Sequence, residues 1–129
     1  MRMTIRTIEY TNESIYVTGN TDIGSIKGVW QYSELPIQNS SYFFELNLGE
    51  LDRREISIIK EENACPCVSS DGRQVSFKGI CEEVDDVYVI RFAPDWIEML
   101  EVDNDDFTIR KGDTISFSTD SASIIIYPY

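Results

Sequence analysis

Apolar residues along this chain recur at every second position in short runs, and Gly, Asn, Asp, Ser or Pro closes each run. Alternation of this kind, rich in β-branched and aromatic residues, is the signature of half-buried strands. The pattern predicts strands over 4–10, 14–18, 25–32, 42–48 and 55–60, and again over 64–69, 74–81, 87–92, 107–110, 114–118 and 123–127. No long helical pattern separates the runs, as the crossovers of a parallel sheet would require. The fold class expected is therefore mainly β, an antiparallel β-sandwich or a partly open barrel, in a single β-rich domain over residues 1–129. No internal repeat, linker or low-complexity segment is visible.

One stretch departs from the alternation. In Ala93 to Val102, Trp96, Met99 and Leu100 fall at helical spacing, and Asp95 with Glu98 three residues later resembles a capping box. One short helix near residues 94–102 is predicted, the alternative being an irregular connection whose Trp96 plugs the end of the core.

Two turns suggest registers. Asp71-Gly72 suits a type I′ turn, which would set Val68 opposite Val75 and Pro66 opposite Phe77. Cys81 then lies on the apolar face and Cys65 and Cys67 on the other. A loop of Lys111-Gly112-Asp113 would pair Ile109 with Ile115 and Phe107 with Phe117. This segment, Phe107 to Phe117, resembles a strand–turn–strand element of cupredoxins over 11 of 129 residues. The copper-binding histidines of that family have no counterpart here, so the resemblance implies at most a β-sandwich shape.

Composition narrows the chemistry. A chain of 129 residues, 42% hydrophobic and 26% charged, can bury about 65–70% of its unfolded surface and needs no metal or disulfide to fold. It contains no histidine, which excludes imidazole-dependent triads, histidine-ligated zinc hydrolases and blue-copper centres. The three cysteines do not form an even disulfide framework, Cys65-Pro66-Cys67 lacks the Cys-x-x-Cys spacing, and Cys81 is expected on the opposite face. The acidic run Glu101 to Asp106 fails the twelve-residue calcium loop, because Asp106 and Gly112 stand where Gly and Glu are needed. No glycine-rich phosphate loop is present. Neither a metal nor a cofactor is expected. The N-terminus carries no signal-like apolar run and no stretch has the length of a membrane span, so a cytoplasmic location is expected.

Charge is the informative feature. The net charge is -12, and residues 82–106 contribute -9 of it, with ten acidic residues against Arg91 alone. Apolar side chains interleave with the acids there, among them Val84, Val87, Tyr88, Trp96, Ile97 and Met99. Interfaces combine such anchors with complementary charge. The expected partner-binding residues are Glu82, Glu83, Asp85, Asp86, Asp95, Trp96, Glu98, Glu101, Asp103, Asp105 and Asp106. A surface of this sign repels nucleic acid and anionic membranes, so a basic protein is the expected partner. A small acidic domain can occlude a site built for phosphates, as an immunity protein does against a nuclease-type toxin. The alternatives are a β-rich accessory or structural subunit of a larger assembly and a carboxylate-dependent enzyme. The last is disfavoured, because 23 acidic residues single out no catalytic pair.

Overall fold

The structure, a computed structural model, describes residues 1–60 and 64–129. Its strands are β1 (Arg2–Tyr10), β2 (Ile15–Thr21), β3 (Gly24–Trp30), β4 (Ser41–Asn47), β5 (Glu50–Asp52) and β6 (Ile56–Ile59). Then follow β7 (Cys67–Asp71), β8 (Gln74–Val84), β9 (Tyr88–Ala93), β10 (Trp96–Asp103), β11 (Thr114–Asp120) and β12 (Ile125–Pro128). The protein is mainly β, and helical backbone among the described residues is confined to two 3₁₀ turns, Arg53–Glu55 and Ser121–Ser123. Among the described residues no helix is long and apolar enough to cross a membrane.

The helix expected near residues 94–102 is instead strand β10. Pro94 and Asp95 make a two-residue turn between Ala93 and Trp96, and β10 then pairs antiparallel with β9. Trp96 and Leu100 point inward while Ile97, Met99 and Glu101 are exposed. A spacing of four residues satisfies a period of two as well as 3.6. The residue between them that would have revealed the alternation is Glu98, an acid on the inward side.

Strands β4-β1-β2-β3 lie side by side in Greek-key order, and β12 closes them into a five-stranded ring by pairing parallel with β3 and antiparallel with β4. Strands β11-β8-β9-β10 form a second run of four. The segment β5–β6 closes it, with β5 parallel to β10 and β6 antiparallel to β11.

These two rings repeat one another in backbone detail. The first strand of each is bulged, between Ile5 and Thr7 in β1 and between Cys81 and Glu83 in β8. Ile5 N–H donates to Ser40 O (2.9 Å) and Ile5 O accepts from Asn39 N–H (2.8 Å), while Cys81 bonds Asp113 O and Gly112 N–H in the same way, both at 2.8 Å. Asn39 and Gly112, at matching positions, both have positive φ, 67° and 94°. The likeness lies only in the hydrogen-bond pattern and has no counterpart in the sequence, since different side chains meet the same backbone demands. The rings also exchange their closing strands. Strand β4 runs on into the segment that closes the second ring, and β11 runs on into β12, which closes the first.

Apolar side chains of both rings form one buried cluster that includes Met3, Ile5, Ile26, Phe44, Phe77, Phe92, Trp96, Leu100 and Phe117. The expected pairings need two corrections. In the β7–β8 hairpin Gly72 and Arg73 form the loop, so Val68 stands opposite Phe77 rather than Val75. Gly72 has φ 60° and Asp71 does not lie in the left-handed region, so the turn is not type I′ over Asp71-Gly72. The pairing slips by two residues, which keeps the faces: Cys81 is buried and Cys65 and Cys67 are exposed. The second hairpin does not form. Gly112 and its neighbours make a turn, with Asp113 N–H on Arg110 O at 3.0 Å, but residues 107–110 are not a strand. Both edges of β11 are taken by β6 and β8, and Phe117 faces Ile56 and Phe77. With them goes the cupredoxin-like element.

Candidate binding face and groove

The period of two in β8, β9 and β10, reset in β8 by the bulge between Cys81 and Glu83, puts Cys81, Ile90 and Leu100 inside and sends Glu83, Val89, Ile97, Met99, Glu101 and Asp103 outward. Ile97 and Met99 are 44% and 68% exposed. Strand β5 extends this outer face, setting Glu50 beside Glu101 and Asp52 beside Asp103. The face is thus an apolar strip bordered by carboxylates.

The expected site residues separate into three groups. Glu83, Asp85, Asp86, Glu101 and Asp103 are exposed and make no salt bridge among the described residues, although Arg54 acts on Asp103 from its pair with Asp52. Four others are engaged. Glu82 accepts from Nε and Nη2 of Arg91 (2.8 and 2.9 Å), which lowers its carboxyl pKa. Asp95 is lowered by the amino group of Met1, 2.8 Å away. Asp106 accepts from Thr108 and from Arg53 Nε (2.8 Å), which together hold it below the usual range. Asp105 accepts the Tyr88 hydroxyl at 2.6 Å; burial, and then this bond, push Tyr88 well above its usual range. The remaining two turn inward.

Trp96 is not a surface anchor. It is buried, with its ring 5.3 Å from that of Phe44 and 5.1 Å from that of Phe92. The aromatic residue that does stand out among the acids is Phe107, 80% exposed. Its backbone is held at φ 58°, an unusual region for a bulky residue, while Asp105 Oδ1 accepts its N–H at 2.9 Å. The Tyr88–Asp105 bond ties this loop to the β8–β9 hairpin. Sequence reading paired Phe107 with Phe117, yet the acids Asp105 and Asp106 just before it marked an exposed loop.

Glu98 is largely buried beside a groove of about 790 Å³ that runs between the end of β4 and β10, one wall from each ring. Its Oε1 accepts the indole N–H of Trp96 at 2.9 Å, and its carboxylate also accepts the Leu46 N–H. Burial outweighs these bonds and pushes its pKa up to about 7, with Glu45 adding to the rise. Glu45, Glu50, Asp95 and Glu101 also line the groove, and among the described residues no Lys or Arg does.

Among the described residues no group of three or more His, Cys, Asp or Glu side chains is placed to hold a metal ion. Burial raises the Cys81 thiol, which faces away from Cys65 and Cys67. In comparisons with known proteins, no family model, no curated protein and no solved structure matches the chain.

Proposed function

We propose that this protein is an acidic binding protein that occludes a basic protein partner, in the manner of an immunity protein against a nuclease-type toxin in the cytoplasm. The observation that carries the reading is the setting of Phe107. The exposed Phe107 side chain stands on a backbone whose N–H is held by Asp105, in a loop that Asp105 ties through Tyr88 to the β8–β9 hairpin, where Glu83, Asp85 and Asp86 are exposed and make no salt bridge among the described residues. Aromatic side chains are the common anchors of interfaces, and rim charges of one sign steer an oppositely charged partner. Direct binding of nucleic acid or of an anionic membrane is opposed by the same charges.

Capture at low salt, with this protein immobilised, tests the reading in the source cell. The captured protein is expected to be basic, to elute as salt is raised, and to be displaced by an excess of a DNA oligonucleotide that competes for its phosphate-binding surface. A captured partner that is acidic, or that binds DNA and this protein together, would favour the accessory-subunit alternative.

One observation favours a second reading as a carboxylate-dependent enzyme: the groove holds a raised carboxyl, Glu98, and a lowered one, Asp95. Both are already engaged, Glu98 by the Trp96 indole and Asp95 by the Met1 amine, which leaves the binding reading ahead.

A further inference from the structure

We infer that the groove between the two rings is a second docking element, which receives a segment of the basic partner carrying Lys or Arg beside apolar side chains. The inference rests on the binding reading above and extends it from the outer face to the seam between β4 and β10. Charge complementarity selects the occupant. Glu45, Glu50, Glu98 and Glu101 line the groove together with Asp95, and among the described residues that line it the one cation, the Met1 amine, is held by Asp95.

Apart from Asn47 and Gly49, the remaining lining is apolar or aromatic. Phe44 and Trp96 contribute from the buried side, and exposed Met99 and Tyr129 stand at the rim. An aliphatic ammonium or guanidinium side chain meets both requirements, since its stem lies on apolar surface and its head reaches carboxylates. A volume of about 790 Å³ is within the range of sites that enclose small ligands or single side-chain clusters.

The groove is continuous with the outer face, because Ile97, Met99 and Glu101 on β10 belong to both. A partner seated on the Phe107 end could therefore extend a segment along β10 into the seam. Glu98 is the carboxylate deepest in that path. A cation brought beside it replaces the water that burial has removed.

The probe is an amide-capped five-residue peptide alternating Lys and Leu, titrated at low salt and pH 7.5 into ¹⁵N-labelled protein, with a Glu–Leu peptide as control. The expected result is saturable binding of the Lys–Leu peptide alone, with shifts at the Trp96 indole N–H and the Leu46 amide. Glu98→Gln, which keeps an acceptor for both, should weaken it by about threefold or more, and Glu45→Gln by less. Shifts confined to the Asp85 to Asp86 turn and the Phe107 loop, unaffected by Glu98→Gln, would overturn the groove inference while leaving the basic-partner reading intact. No saturable binding of the Lys–Leu peptide would overturn it as well. Capture of an acidic partner would instead remove the reading on which it rests.

Discussion

Replacing Glu98 with Gln is expected to stabilise the protein at pH 8 and to change it little at pH 5. Burial raises the Glu98 carboxyl from 4.5 to about 7, so the folded state prefers its protonated form. A carboxyl raised on folding contributes stability that is full below the unfolded value and is lost as pH rises through the folded one. The shift corresponds to about 3 kcal/mol lost by pH 8, in a domain whose total is on the order of 5–15 kcal/mol. Gln offers the same acceptor to the Trp96 indole and the Leu46 amide and carries no charge to desolvate. Thermal melts at the two pH values check this. A gain on the order of 10 °C at pH 8 with little at pH 5 is expected. An equal change at both, or a loss at pH 8, would mean that Glu98 is well solvated.

Trp96→Ala is expected to destabilise the fold by about 3–5 kcal/mol, the usual cost of emptying a buried large aromatic site. Trp96 packs its ring against Phe44 from the first ring and Phe92 from the second. Its removal opens a cavity where the rings meet and takes the indole donor from Glu98. Trp96→Phe keeps much of the volume and should lose less, so the pair remains informative if the Ala variant does not fold. Denaturant midpoints of both variants measure the effect. A Trp96→Ala protein as stable as wild type would place the side chain on the surface and restore it as a docking anchor.

The strands were legible wherever one face is apolar without exception, as in β1 with Met3 and Ile5 or β8 with Val75, Phe77 and Cys81. Strand β10 was not, because the inward position between Trp96 and Leu100 is occupied by Glu98, and the remaining spacing fits a helix equally well. Strand β5, Glu50-Leu51-Asp52, has one apolar residue and therefore no period to read. The exchange of closing strands leaves no trace in side chains, since it is carried by backbone hydrogen bonds that many residues can make. Charge placement was legible: the acids fell in one region of the chain, and five of them are exposed and make no salt bridge among the described residues. Which aromatic residue accompanies them was not. A good turn at Gly112 looks the same whether the following strand pairs with its neighbour in sequence or with β6 and β8, and only the latter leaves Phe107 outside.

The most direct measurement of the binding account is the association rate with the captured partner as a function of salt, for wild type and for a variant with Glu83→Gln, Asp85→Asn, Asp86→Asn and Asp103→Asn. These four carboxylates are exposed and make no salt bridge among the described residues, and Asn at 103 keeps an acceptor for the Asn104 N–H, so the variant should melt nearly as wild type does. Steering by unpaired rim charges acts on the on-rate and is screened over about 8 Å at physiological salt. The account predicts an on-rate lower by about tenfold or more at low salt and a flatter salt dependence. An unchanged rate with an unchanged slope would contradict it, and the acidic face would then be a solvated surface with no part in docking.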